Sequence, residues 1–227
     1  MIDMPVEVVV ALLGWGTLVG LDLVSLPQIM ISRPIVVGAV AGWLSGDPAT
    51  GVTVGVIMEL FALESVAIGA ARYPDYGAAT VGAVVASTGI EGHGLTGIAV
   101  VLGLVLASVG GWTLNRLRHA NATAVRRREA SLRAGDPLAV EALQYGGLLR
   151  DVARSVTLSV VAILSGVAVR TAPALPDWAA SGLLMVVIGG GLAGAASGAI
   201  RSAGRGRRLR WLGVGALLGV LLLVLRS

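Results

Sequence analysis

The 227-residue sequence contains no cysteine, no lysine and only two histidines. The absence of cysteine excludes disulfide bonds, thiolate nucleophiles and cysteine metal ligands, and His93 and His119 are too far apart in the sequence to suggest a histidine cluster. We also find no nucleophile–base pair, metal-ligand spacing or phosphate-binding glycine loop. The sequence therefore predicts no catalytic residue, no metal site and no cofactor in this chain.

Charge is scarce as well, and apolar residues dominate. Charged residues make up 13% of the chain, about half the share of a soluble domain, whereas 56% of the residues are hydrophobic and the mean hydropathy is +0.86. A soluble chain of this length needs more polar surface to cover its core. We therefore predict an all-α integral membrane protein. Its four long transmembrane helices lie near residues 94–114, 152–170, 179–200 and 209–226, each about the 20 residues needed to cross a bilayer.

The basic residues are all arginine, and most of them flank apolar segments. The high calculated pI of 10.6 is typical of nucleic-acid-binding proteins, but no aromatic residues interleave with these arginines, so we expect no nucleic-acid partner. The arrangement follows the positive-inside rule instead. It predicts a cytoplasmic, Arg-rich helical loop at 116–147, with a turn at Gly135-Asp136-Pro137. Thirteen of the 17 basic residues form the two flanking blocks: Arg116, Arg118, Arg126, Arg127, Arg128, Arg133, Arg150 and Arg154, then Arg201, Arg205, Arg207, Arg208 and Arg210.

The first 93 residues have a different pattern from residues 94–227. Their apolar runs are interrupted by Pro, Gly and Asp, and the run 34–46 is too short to span a membrane as a helix. Interrupted helices at membrane depth are tolerated only where they are buried in protein or line a cavity, and in transporters they mark the substrate site. We therefore predict broken or re-entrant helices that hold the substrate site in 1–93, and transmembrane helices in 94–227.

Two carboxylates, Glu59 and Glu64, lie within an apolar stretch at 49–71. A charge at the bilayer centre costs about 2.5–3.5 kcal/mol on insertion scales, so each side chain needs a polar cavity, a partner or a proton. Five helical positions separate the two by about 140°, so they lie on different faces. Glu59 is the stronger candidate for a substrate contact. The alternative is a structural glutamate bonded to backbone that a helix break has freed.

Four further polar residues lie at breaks between apolar runs. Asp22 and Gln28, on either side of Pro27, are candidates for binding the hydroxyl groups of a substrate, or they are helix-end residues near the interface. Asp47 and Asp75 are both next to a proline, where a turn or helix N-cap is the favoured role. We keep Asp75, with Asp22 and Gln28, among the candidate substrate-binding residues.

These residues carry a resemblance to a known family. The sequence resembles the mannose/fructose/sorbose-family IIC subunit of the bacterial phosphotransferase system, most specifically around residues 33–75. The segments after residue 115 are similar in order and length. The resemblance is carried by Arg33-Pro34, Gly42, Gly46-Asp47, Thr50-Gly51, Glu59 and Ile68-Gly69-Ala70-Ala71 leading to Pro74-Asp75.

The resemblance implies a multi-pass subunit of the bacterial inner membrane that pairs with a IID-type membrane subunit and forms a larger oligomer. Such a subunit binds and translocates a hexose, while soluble IIA and IIB phosphocarrier proteins deliver the phosphoryl group. Glu59 matches the family's membrane glutamate near the sugar. Ala67 stands where the family has an asparagine, and Glu64 where a small residue is common, so the resemblance does not imply which sugar is bound.

Two other functions fit the residues. In the first, the chain is a proton-coupled secondary transporter that uses Glu59 or Glu64 as its proton carrier. In the second, it is a membrane scaffold or regulatory remnant that does not transport.

Overall fold

The computed structural model of the chain describes residues 4–64, 73–89, 94–173 and 175–203, together with 210, 211, 214, 215 and 218. Across these residues the regular secondary structure is helical, in agreement with the predicted all-α class. The helices, in chain order, are α1 Val6–Asp22, α2 Pro34–Leu44, α3 Pro48–Ala62, α4 Tyr76–Ser87, α5 Thr96–Arg127, α6 Glu129–Arg133, α7 Pro137–Arg170 and α8 Asp177–Ala203.

Three helices of the described part are long and apolar enough to cross a membrane: α5, α7 and α8 from Asp177 to Gly198. They correspond to three of the four predicted long helices. The fourth predicted helix, 209–226, lies outside the described residues apart from five isolated positions. At about 1.5 Å per residue, α5 and α7 are about 48 and 51 Å long, so each extends well beyond a hydrocarbon core of about 30 Å.

The predicted loop at 116–147 is largely a continuation of these two helices. α5 continues to Arg127, α6 follows, and α7 begins at Pro137 after Gly135, which has a φ of +76°. Asp136 caps α7 by accepting a hydrogen bond from the backbone N–H of Leu138 at 3.0 Å. Residues 116–150 therefore form a helical hairpin, here called the arm. The helical character is as predicted, but the boundary of α5 predicted at residue 114 is wrong, because Ala, Leu and Arg favour helix and no Gly or Pro occurs between 112 and 134.

The helices before residue 90 are short, as the interrupted pattern predicts. α2, α3 and α4 have 11, 15 and 12 residues. Asp47 caps α3 by accepting from the N–H of Thr50 at 3.1 Å, and Asp75 caps α4 by accepting from the N–H of Gly77 at 3.2 Å. The predicted N-cap role of both aspartates is confirmed.

Glycines allow α2 and α3 to pack backbone against backbone. A Cβ atom added at Gly42 would lie 2.6 Å from the Cα of Gly51, and one at Gly38 would lie 2.7 Å from the Cα of Gly55. Because real Cβ atoms do not approach so closely, the four glycines are required for this crossing. The close crossing brings the start of α2 beside the end of α3, which sets up the candidate site.

Helix α4 lies at the centre of the molecule, and its residues from Gly77 to Ser87 are all buried. It packs against α5 and α7, while α1 packs against α7 through small residues. A Cβ at Gly16 or Gly20 would lie less than 3 Å from the Ser159 or Ser155 hydroxyl, respectively. The segment that leads into α4 crosses α5 at Gly110 and Gly111, and the N–H of Asp75 donates to the carbonyl oxygen of Ala107 at 2.9 Å.

Candidate functional site

The segment between α1 and α2 is held by Asp22, the last residue of α1. The Oδ1 atom accepts a hydrogen bond from the backbone N–H of Ile29 at 2.9 Å, and Oδ2 accepts from that of Ser32 at 3.1 Å. The side chain is 1% exposed. Gln28 and Met30 in this segment have φ values of 55° and 68°, a left-handed conformation uncommon outside glycine. Asp22 thus stabilises the tight turn of the segment between α1 and α2.

Glu59 is paired with Arg33, the residue that immediately precedes α2. The guanidinium Nη2 donates to Glu59 Oε1, and the N–H of Ile35 donates to Oε2 at 3.3 Å. The Glu59 side chain is 14% exposed, and that of Arg33 is 42% exposed. A charge at membrane depth is thereby compensated by an opposite charge and by the positive end of a helix. Glu59 therefore has a charged partner, one of the three possibilities that the sequence left open, and also the kind of backbone bond expected of a structural glutamate.

A cavity of about 260 Å³ opens beside this ion pair. Its size is close to the lower end of the range of about 300–1,000 Å³ typical of small-molecule sites, and like them it combines apolar walls with a few polar groups. It lies between the α1–α2 segment, the end of α3 and the start of α4. The lining residues are Asp22, Leu23, Gln28, Met30, Ser32, Arg33, Pro34, Ala62, Tyr73, Pro74 and Tyr76.

The predicted substrate residues lie at different distances from this cavity. Asp22 and Gln28 line it, although the Gln28 Nε2 donates to the Leu23 carbonyl oxygen at 3.1 Å. Glu59 contacts Arg33, which lines the cavity. Glu64 is exposed beyond the end of α3, and a Cβ at Gly194 of α8 would lie 3.4 Å from its Oε2. Because α3 ends at Ala62, Glu64 lies outside the helix that carries Glu59, and the predicted separation of about 140° does not apply to the pair.

Asp75 is one residue from the cavity lining and belongs to a second, buried cluster. Arg154 donates through Nη1 to Asp75 Oδ2 at 2.7 Å, through Nε to Asp151 Oδ1 at 2.9 Å, and through Nη2 to the Gly20 carbonyl oxygen at 3.2 Å. The three charged side chains are between 0% and 6% exposed. The Ser25 hydroxyl also donates to Asp151 at 2.5 Å. The cluster joins α1, α4 and α7 directly behind the cavity.

The structure changes the interpretation of Arg154 and adds residues to the site. The sequence pattern groups Arg154 with the topological arginines, but it is buried because two aspartates compensate its charge. Arg33 belongs to the motif that carries the family resemblance, but the sequence pattern did not indicate it as a site residue. Ser32, Tyr73 and Tyr76 were missed, and only their position at the ends of interrupted runs could have indicated them.

Ala67, Arg72, His93 and the 68–71 part of the motif lie outside the described residues. In the described part of the chain, no group of three or more His, Cys, Asp or Glu side chains is arranged to hold a metal ion.

The chain is similar to components of the bacterial phosphotransferase system. A family model described as "PTS system sorbose-specific IIC component" matches residues 6–196. The sorbose-specific EIIC component of Lacticaseibacillus casei is 34% identical over 94 residues, which are 41% of this chain and 33% of that protein. The component of the same name from Klebsiella pneumoniae is 31% identical over 102 residues, 45% of this chain and 37% of that protein. This chain thus aligns with about a third of each relative's length.

Two solved structures share the fold. One, described as a membrane protein, has a TM-score of 0.70 and 19% sequence identity, covering 99% of this chain and 98% of its own. The other, from a cryo-EM structure of the mannose transporter ManYZ in complex with microcin E492, has a TM-score of 0.62 and 20% identity, covering 100% and 98%. Since the family model matches most of the chain, the protein belongs to the sorbose-specific IIC component family of the phosphotransferase system, whose members are multi-pass proteins of the bacterial inner membrane.

Proposed function

We propose that this chain is the IIC permease subunit of a sugar phosphotransferase system. It binds a hexose in the cavity between α1, α3 and α4 and translocates it for phosphorylation by a separate IIB protein. Its relatives are named as sorbose-specific components, and one structural neighbour is named as part of a mannose transporter. Family membership supports the proposed partners, a IID-type membrane subunit and soluble IIA and IIB phosphocarrier proteins, and the proposed larger oligomer.

The Arg33–Glu59 pair beside the cavity carries this proposal. A sugar presents hydroxyls that both donate and accept, and a guanidinium and a carboxylate together supply the matching donors and acceptors. Arg33 already lines the cavity, and Glu59 lies directly behind it. The side chains of Gln28 and Ser32 add neutral polar groups, and Tyr76 adds an amphipathic wall. We propose Glu59 and Arg33 as the principal substrate residues, with Asp22 and Asp75 as residues that hold the site in shape.

The depth of the cavity supports delivery to a soluble phosphocarrier. The segment Tyr73–Asp75 crosses α5 at Gly110 and Gly111, about six residues before Arg116. Six residues of helix correspond to about 9 Å, so the cavity lies within reach of the Arg-rich face of the membrane. By the positive-inside rule this face is cytoplasmic. A sugar bound there is close to the compartment in which soluble proteins act.

The proposal is tested by reconstituting the chain with its membrane partner in proteoliposomes and measuring hexose uptake together with hexose phosphate formation. Hydrogen bonds to charged groups contribute about 1.5–3 kcal/mol, so Glu59→Gln should weaken hexose affinity by about 10- to 150-fold. The matched control is Glu129→Gln, which makes the same change at an exposed pair with Arg133 on the arm. Its affinity should equal that of the unmodified protein.

Three outcomes would contradict the proposal. Unchanged affinity in Glu59→Gln would remove the site assignment. Uptake driven by a pH gradient without any phosphoryl donor would identify a proton-coupled transporter instead. Normal assembly with the membrane partner but no sugar binding would identify a scaffold.

A further inference from the structure

A second groove lies on the outer surface between α5 and α7, where the two helices leave the apolar region and enter the arm. It has a volume of about 430 Å³ and is separate from the sugar cavity. Its floor is apolar, with Leu117 and Leu158 both buried. Arg116 and Arg150 line it, together with the hydroxyl-bearing side chains Thr113 and Thr157.

The groove carries uncompensated positive charge. Arg154 also lines it, but Asp75 and Asp151 neutralise that residue from behind. Arg150 donates to the neutral Asn121 amide oxygen at 2.5 Å, and Arg116 lies over the Trp112 ring at 4.9 Å from its centroid. Neither has a carboxylate partner within the described ranges.

Two guanidinium groups that converge on one groove without an acidic partner favour an anionic ligand. Arginine in particular matches the planar, multidentate geometry of phosphate oxygens.

The groove changes from cationic to apolar along its length. Since α5 and α7 are antiparallel, the end near Arg150 lies beside Ala120 in the arm, whereas Thr113 and Thr157 lie at the opposite, membrane end. One helical turn further into the membrane, Val109 and Val161 continue the same faces and are 44% and 42% exposed.

Trp112, which is 59% exposed, lies at the same level as the threonines. Tryptophan is enriched where the hydrocarbon core meets the headgroups, so the change in polarity coincides with the membrane interface.

We propose that this groove binds one anionic glycerophospholipid from the cytoplasmic leaflet. Its phosphate is held by Arg116 and Arg150, its ester region lies beside Thr113 and Thr157, and an acyl chain follows the exposed valines. Basic pockets between transmembrane helices on the cytoplasmic side bind anionic headgroups by this physical logic. A free phosphate ion would use the two arginines but gain nothing from the apolar continuation, which favours the lipid.

The test measures lipid retention on the purified chain by native mass spectrometry. Phosphatidylglycerol and phosphatidylcholine with identical acyl chains are compared: both carry a phosphate, but the choline cation makes phosphatidylcholine neutral and is repelled by the two arginines. Inorganic phosphate is added as a competitor in a separate experiment. The double variant Arg116→Gln/Arg150→Gln should bind phosphatidylglycerol about 10- to 30-fold more weakly than the unmodified chain, with little change for phosphatidylcholine. The matched control is Arg126→Gln/Arg127→Gln, which removes the same charge from exposed positions further along the arm.

The single variant Arg116→Gln provides a second measurement. The Arg116 side chain is exposed and lies over the Trp112 ring, so its replacement should not disturb the fold. It should show a partial loss of phosphatidylglycerol binding, with an unchanged helical circular dichroism spectrum. Equal retention of the two lipids, an equal loss in the control variant, or complete displacement by inorganic phosphate would each overturn the proposal. Retention of neither lipid would overturn it too, and would leave the groove to an acidic protein segment.

Discussion

Replacing Arg154 by methionine should be among the most damaging single changes in this protein. The guanidinium makes three hydrogen bonds, to Asp75, Asp151 and the Gly20 carbonyl oxygen, and so connects three helices. Methionine fills much of the same volume but leaves Asp75 and Asp151, which are 2% and 0% exposed, without their cation. Removing one partner of a buried ion pair costs about 3–5 kcal/mol.

This loss can be expressed as a change in thermal stability. At about 2–4 °C per kcal/mol for a chain of this size, we expect the midpoint of thermal unfolding to fall by about 6–20 °C. The assay is thermal unfolding of the purified chain in detergent, followed by the loss of monodisperse protein. The control, Arg133→Met, breaks the exposed pair with Glu129 on the arm and should shift the midpoint by no more than about 2 °C.

A compensated variant separates loss of charge balance from loss of packing. Adding Asp75→Asn and Asp151→Asn to Arg154→Met removes all three charges, and replacement of a whole buried ionic group by neutral residues is often close to neutral in stability. The triple variant should therefore recover much of the midpoint lost by Arg154→Met. The reasoning would be refuted if Arg154→Met were as stable as Arg133→Met.

Two further changes test the α2–α3 crossing and the segment between α1 and α2 that lines the candidate cavity. Gly42→Ala should lower the free energy of unfolding by about 1–3 kcal/mol, because the added Cβ would meet the backbone of Gly51. The control is Gly14→Ala, which has open space around the added Cβ and should be neutral. Thermal unfolding of the two variants distinguishes these outcomes. Asp22→Asn retains the shape of the side chain but has one oxygen for the two N–H groups it now binds, so it should cost about 1–3 kcal/mol by the same measurement.

Much of the fold could be predicted from the sequence because membrane helices carry a strong signal. Runs of about 20 apolar residues indicated α5, α7 and α8, and the prolines and aspartates before residue 90 indicated the short helices and two of their caps. The length of α5 could not be predicted in this way, because hydropathy ends where the arginines begin whereas the backbone remains helical to Arg127.

The candidate site was predicted less completely because its interactions are distant in sequence. Glu59 stood out as a carboxylate in an apolar run, but its partner Arg33 is 26 residues away and reaches it only through the close α2–α3 crossing. The pairing of Arg154 with Asp75 spans 79 residues. A charge count along the chain cannot distinguish this buried arginine from the exposed arginines of the arm, because the difference arises only from packing.

The most direct test of the central claim is hexose binding by a variant whose cavity has been filled. Ser32 lines the cavity, and its backbone bond to Asp22 does not depend on its side chain, so Ser32→Phe should occupy the space without disturbing the segment. The control is Ser131→Phe, at an exposed position on the arm. Calorimetry on the chain with its membrane partner should show no hexose binding by Ser32→Phe and normal binding by Ser131→Phe. Normal binding by a folded Ser32→Phe variant would contradict the account.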